Sequence, residues 1–253
     1  MHLPYTLADS QAPGRVALGL IVLGVDETVE EDFRRLLPFD AARLYHTRIE
    51  SGSDLTPDSI AAMSQRLTAS AALLPAHAGL GAIGYACTSG ATLLGEARVA
   101  ALIAEARPAV PVTDPMTALK AACRSLGIRR LGLVSPYIRS VSEVLLHGLK
   151  VAGIAVPAFG SFDQQEERVV ARIAPASIRE ALLRIGGEDD CEAVFASCTN
   201  LQAVEVLAEV RERLGKPVLA SNQVLAWHML QLAGLSRPQL LDSGNSGTRV
   251  ARA

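Results

Sequence analysis

Aromatic residues make up only 4% of this 253-residue chain, and no block of lysine or arginine accompanies them. Nucleic-acid binders need stacking faces and a basic stripe. With a net charge of −2, the chain offers neither, and no nucleic-acid partner is expected. Long apolar runs are also missing. None approaches the ~18 residues that span a bilayer. The opening "MHLPYTLADSQAPGR" has no apolar signal core. No membrane partner is expected, and the cytoplasm is the expected location. The four cysteines lack Cys-x-x-Cys spacing, and His46, His77, His147 and His228 lack His-x-His or His-x-x-His spacing. A metal site is therefore not expected. Cysteines in a chain without a signal sequence are read as thiols rather than as a disulfide framework. The segment "GLIVLGVDET" lacks the three glycines of a dinucleotide loop, and no cofactor is expected.

The chain is rich in apolar residues, at 49%, which is ample for a large core. Short β-like runs at Val16–Leu23, Ala42–His46, Ala82–Ala86, Ala109–Val112, Leu131–Val134, Ile154–Ala158, Ala193–Ala196 and Pro217–Ala220 alternate with longer amphipathic runs. The helical runs are Glu30–Leu37, Pro57–Leu74, Gly90–Ala106, Pro115–Leu126, Ser140–Ala152, Ala176–Ile185, Leu201–Leu214 and Asn222–Leu232. Alternation of this kind predicts an α/β fold with parallel strands and helical crossovers.

The pattern also repeats. Val16 to Leu131, Ala42 to Ile154, Cys87 to Cys198 and Ala109 to Pro217 are separated by 115, 112, 111 and 108 residues. The spacing predicts two similar α/β halves of about four strands each. The first is residues 1–114, completed by 222–253, and the second is 115–221. Ligands of open parallel sheets bind at the carboxyl ends of strands. Cys87 in "GYACTSGAT" and Cys198 in "FASCTNLQA" both fall at such ends. Facing halves would present two thiols to one small substrate.

Thr88 and Ser89 follow one cysteine, and Thr199 and Asn200 follow the other. These residue types cap helices, and a helix start binds carboxylate and favours thiolate. The turns are thus expected to hold a small carboxylate and to arm each cysteine. A buried cysteine is otherwise a small hydrophobe, which is the reading for Cys123 and Cys191. Tyr137, after the fifth strand, is placed to donate to a substrate oxygen. Asn222 reads first as a helix cap, His228 as packing, and "FDQQEER" (162–168) as a solvated or lid loop.

The segments "GYACTSG", "SCTNLQAVEVL", "GLVSPY" and "SNQVLAWHML" resemble the maleate cis–trans isomerase and arylmalonate decarboxylase group of the aspartate/glutamate racemase superfamily, across roughly Val16 to Gly234. The resemblance implies a cofactor-independent enzyme with two pseudo-symmetric Rossmann-like domains, each with a four-stranded parallel sheet, and a site between them. It implies Cys87 and Cys198 as the catalytic pair, with Thr88, Ser89, Thr199 and Tyr137 holding substrate carboxylate. Arylmalonate decarboxylases have glycine where this chain has Cys87, so the resemblance favours an isomerase or racemase. Maleate isomerases typically read Pro-Ser-Ser-Asn-Thr after the first strand, whereas this chain reads "LGVDETVEEDF", with Asp26 at the Asn position. A carboxylate beside a dicarboxylate costs on the order of 1–4 kcal/mol, and Asp26 instead suits an ammonium group. Amino-acid racemases of the superfamily also carry an Asp there, and a subgroup linked with ectoine breakdown has a similar sequence. The alternative role for Asp26 is to cap the next helix.

The leading expectation is a two-cysteine racemase or cis–trans isomerase of a small, nitrogen-bearing carboxylic acid, expected as a homo-oligomer. The alternatives are a maleate isomerase proper, an arylmalonate-type decarboxylase using Cys198 alone, and a two-lobed small-acid binding protein.

Overall fold

The computed structural model describes residues 3–6, 15–52 and 57–242. Two four-stranded parallel sheets carry the fold. The first has the order β2–β1–β3–β4, built from β1 (Val16–Leu23), β2 (Ala42–Ile49), β3 (Leu80–Ala86) and β4 (Val112–Thr113). The second has the matching order β6–β5–β7–β8, built from β5 (Leu131–Tyr137), β6 (Phe159–Gln164), β7 (Ala193–Ala196) and β8 (Val218–Ala220). In each sheet the two central strands are apolar and almost wholly buried, as both faces are covered by helices.

The helices of the first part are α1 (Val29–Leu36), α2 (Pro57–Ala72), α3 (Thr88–Leu94), α4 (Glu96–Ala106) and α5 (Pro115–Leu126). The remainder are α6 (Arg139–Val151), α7 (Glu167–Val170), α8 (Pro175–Gly186), α9 (Leu207–Leu214), α10 (Ser221–Leu232) and α11 (Gln239–Asp242). Helix α10 joins the two sheets. Its Val224 and Trp227 pack into the core around the second sheet, while Leu225, Ala226, Met229 and Leu230 pack on the first. It is buried on nearly every side, which explains its weak amphipathic pattern. Gly84 of β3 permits this seat, since a Cβ there would lie 2.5 Å from the Met229 sulfur. The expected completion of the first half by residues 222–253 falls partly outside the described residues, from 243 onward.

Several boundaries differ from the sequence expectation. The sixth strand was expected at Ile154–Ala158 but lies at Phe159–Gln164. Ile154 closes the end of α6 by donating to the Leu149 carbonyl, after Gly153 in a left-handed conformation (φ 77°). Pro157 has no N–H to give to a ladder, so continuous pairing with β5 begins only at Phe159. The fourth strand, expected at Ala109–Val112, is shortened to Val112–Thr113 because Ala109 turns the chain at φ 67°. The run Gly90–Ala106 is two helices, broken at Gly95 with φ 87°. The run Leu201–Leu214 becomes a helix only from Leu207, preceded by a 3₁₀ turn at Val204–Val206.

Candidate active site

The strand ends converge on one buried cluster. Cys87 follows β3 and caps α3 with its own sulfur, which accepts from the Gly90 N–H at 3.2 Å. Glycine is required at position 90, because a Cβ there would come within 2.8 Å of the Cys87 sulfur and 2.7 Å of the Tyr85 hydroxyl. Ser89 Oγ lies 3.7 Å from the same sulfur.

Cys198 follows β7. The Tyr137 hydroxyl donates to its sulfur at 2.8 Å, and the Asn200 backbone N–H does so at 3.3 Å. Here the sequence expectation of a helix start is corrected. Residues 199–203 form a turn, since their polar groups are engaged across the molecule instead of along a helix. The Asn200 carbonyl accepts from Thr28 Oγ1 (3.0 Å), and the Thr199 carbonyl accepts from Asn222 Nδ2 (2.7 Å).

The two cysteine turns touch. The Thr199 hydroxyl donates to the Ala86 carbonyl, one residue before Cys87, at 3.3 Å. Ser221 bridges the turns from the other side. Its hydroxyl is 2.9 Å from Thr88 Oγ1 and accepts from the Cys198 N–H at 3.0 Å. The sequence reading overlooked Ser221, whose one signal was its place just after β8. Asn222 was expected to cap a helix. Its amide instead donates to Asp32 Oδ2 at 2.7 Å as well as to Thr199, tying α1 to the Cys198 turn. Capping of α10 falls to Gln223, whose Oε1 accepts from the Ala220 N–H.

Asp26 lies at the end of β1 and is buried. Both readings of it have a structural counterpart. Oδ1 accepts from the Thr28 and Val29 N–H groups, each at 2.8 Å, as a cap of the α1 entry. Oδ2 is buried without a hydrogen bond, and burial pushes the carboxyl above the ordinary carboxylate range, against the Val29 and Thr28 N–H groups, which lower it. The negative charge of Asp26 acts on Cys198.

A second carboxyl was missed. Glu167, in the segment read as a solvated or lid loop, is only 5% exposed. That expectation is corrected: β6 delivers α7 over the site, and Val170 anchors it in the core. Glu167 Oε2 accepts from Asn200 Nδ2 at 3.0 Å. Its charge acts on Cys87, Cys198 and Tyr137 alike. A polar stretch gives no apolar periodicity by which to foresee such burial. A cavity of about 340 Å³ is lined by Gly24, Val25, Glu27, Glu166, Glu167 and Arg168. Glu27 and Arg172 pair across its rim at 2.9 and 3.0 Å.

The resting thiols also correct the sequence expectation. Burial pushes Cys87 up to about 12, against the Gly90 N–H, which lowers it. Burial and the Glu167 charge push Cys198 well above the ordinary thiol range. Both are protonated at neutral pH, because desolvation outweighs the few N–H donors. His228 is held by Thr113 at 2.7 Å and stacks on Trp227, as expected of a packing residue. Among the described residues, no group of three or more His, Cys, Asp or Glu side chains is placed to hold a metal ion. Among them, no helix is long and apolar enough to cross a membrane.

The buried carboxyls set a pH dependence. Burial raises both Asp32 and Glu167 to about 7. Unfolded, each titrates near the ordinary carboxylate range, so the folded state binds more protons between roughly pH 4 and 7. Their contribution is complete below the unfolded values and is lost as pH rises through about 7, on the order of 3 kcal/mol for each. Thermal melts should show Tm falling by roughly 5 °C or more between pH 5 and pH 8. A flat Tm over that range would contradict the burial of these groups.

The arylmalonate decarboxylase family model matches residues 19–242. The chain belongs to the arylmalonate decarboxylase family. Within it, arylmalonate decarboxylase of Bordetella bronchiseptica is 30% identical over 207 residues, covering 79% of this chain and 86% of that one. Two solved maleate isomerases share the fold. A Pseudomonas putida S16 cysteine-to-alanine variant with maleate superposes at a TM-score of 0.79, with 21% identity, covering 87% of this chain and 92% of that chain. A Nocardia farcinica cysteine-to-serine variant with a covalently bound succinylcysteine intermediate superposes at 0.80, with 22% identity, covering 88% and 94%. Members and fold relatives of this family thus include decarboxylases and isomerases of small acids.

Proposed function

We propose that this family member is a cofactor-independent isomerase that works with two thiols, Cys87 and Cys198, on a small carboxylic acid bearing a nitrogen cation. The observation that carries the reading is the convergence of both cysteine turns with two buried carboxyls, Asp26 and Glu167. Two thiols on one substrate suit a racemase. One sulfur, as thiolate, takes the α-proton, and the other, as thiol, gives a proton to the opposite face. Substrate carboxylate would be held by Thr88, Ser89, Thr199 and Asn200 at the two turns, with Tyr137 beside Cys198. The substrate's cation would face Asp26 and Glu167, since desolvated carboxyls repel a second acid group but pair with ammonium.

A second reading has support from the succinylcysteine intermediate of the Nocardia enzyme. In that mode one thiolate adds to an alkene carbon, the carbon–carbon bond rotates, and the thiolate leaves. A decarboxylase is favoured less, because a single working thiol leaves Cys87 without a task. Proton NMR in D₂O over a panel of small amino acids, their amides and dicarboxylates tests the proposal. Loss of an α-proton signal from a nitrogen-bearing acid is expected. Conversion of maleate alone, or CO₂ release from a malonate, would replace the proposal with one of the other two chemistries.

The remaining cysteines should be dispensable. Cys123 lies on the buried face of α5 and Cys191 lies buried just before β7. Cys123→Ala and Cys191→Ala should keep turnover within about threefold, even where a small cavity lowers stability. A severe loss in folded protein would show that the working thiols were wrongly paired.

A further inference from the structure

Ser221 is wholly buried between the two cysteine turns. Its oxygen accepts the Cys198 N–H at 3.0 Å. Among the described residues, its own proton has one acceptor in reach, Thr88 Oγ1 at 2.9 Å. A buried hydroxyl proton without a partner is costly, so Ser221 donates and Thr88 accepts. The Thr88 proton is thereby turned away from Ser221, and none of the described residues accepts it. The polar groups of the other turn are already engaged. The Thr199 hydroxyl gives its proton to the Ala86 carbonyl at 3.3 Å. The Asn200 amide donates to the Glu167 carbonyl and carboxyl at 3.1 and 3.0 Å, and its Oδ1 accepts from the Glu27 N–H. The Tyr137 hydroxyl donates to the Cys198 sulfur. At the Cys87 turn, Ser89 keeps only a loose 3.7 Å contact with the sulfur. The hydroxyl protons still free for a ligand therefore gather beside Cys87, at Thr88 and Ser89.

We propose that Ser221 is a positioning residue: it holds the Cys198 N–H, gives its own proton to Thr88, and so aims the Thr88 hydroxyl at the substrate carboxylate. A carboxylate takes its strongest hydrogen bonds from donors already pointed at it, and a donor that is itself hydrogen-bonded is polarised further. Without Ser221, the Thr88 hydroxyl loses the partner that fixes its rotation, and the Cys198 N–H loses its acceptor. The grip on the carboxylate and the placement of the second thiol thus depend on one side chain. This role rests on the reading above that the turns hold a substrate carboxylate. It narrows the hold to the Cys87 turn and leaves the Thr199 hydroxyl as a structural bond between the turns.

Acetate, a bare carboxylate, is the probe, with its binding to the full-length protein followed by saturation-transfer NMR. Thr88→Val should weaken acetate roughly tenfold, the worth of a hydrogen bond to a charged group, and Ser221→Ala by at least about threefold, the part that comes from aiming it. The double variant should bind no worse than Thr88→Val alone, because Ser221 acts on acetate only through Thr88. Thr199→Val should leave acetate near the native affinity. Losses that add in the double variant would make Ser221 a support of the fold alone and overturn the proposal. Native affinity in Ser221→Ala overturns it too, as does a Thr199→Val loss equal to that of Thr88→Val, or no acetate binding by the native protein. If Ser221→Ala does not fold, Ser221→Cys, which keeps a weaker donor and acceptor, takes its place in the cycle. Acetate carries no nitrogen and calls for no turnover, so failure here is distinct from failure of the D₂O assay, which decides the reaction.

Discussion

Cys87→Ser and Cys198→Ser are each expected to lower turnover by at least about a hundredfold, the worth of one positioned acid or base. Serine preserves the local contacts. Its hydroxyl can accept from the Gly90 N–H at the first position, and from the Tyr137 hydroxyl and Asn200 N–H at the second. What it cannot do is ionise in a site where burial already holds a thiol up to about 12. The two losses should differ in kind. With one group on each face of the α-carbon, each variant should lose proton exchange from one enantiomer more than from the other, in opposite senses. This is read by NMR in D₂O with separate enantiomers. Near-normal turnover by either variant would end the two-thiol mechanism. Loss confined to Cys198→Ser would favour a one-thiol decarboxylation over the two-thiol reading.

Asp26→Asn is expected to exchange one substrate preference for another. The substitution is nearly isosteric, and its carbonyl oxygen can keep both bonds now made by Oδ1 to Thr28 and Val29. The entry to α1 is therefore preserved, and the change falls on the charge and on Oδ2, which has no hydrogen bond in the fold. Charge-assisted bonds contribute about 1.5–3 kcal/mol, so kcat/KM for a nitrogen-bearing acid should fall roughly tenfold to a hundredfold. Any activity on maleate should rise, because one of two like charges facing the diacid is gone. Efficient maleate turnover by the native protein would return Asp26 to a purely capping role. A large drop in Tm for Asp26→Asn would point the same way.

The sequence by itself determined the architecture. Alternating short apolar and longer amphipathic runs allow little but parallel strands with helical crossovers. The near-constant offset between the halves carries through to two sheets of the same strand order. It also put Cys87, Cys198, Asp26 and Tyr137 at strand ends, because strand ends are marked by local turn residues. Tertiary structure decided what no local pattern encodes. Glu167 is polar among polar neighbours, and only the packing of α7 over the Cys198 turn buries it. Ser221 and Asn222 belong to the site because β8 ends between the two cysteine turns, a fact of strand order and not of motif. The charge state of the thiols was likewise invisible. A turn offers a cysteine two or three N–H donors, which the sequence suggests, but the desolvation that overrides them is summed over segments more than a hundred residues apart.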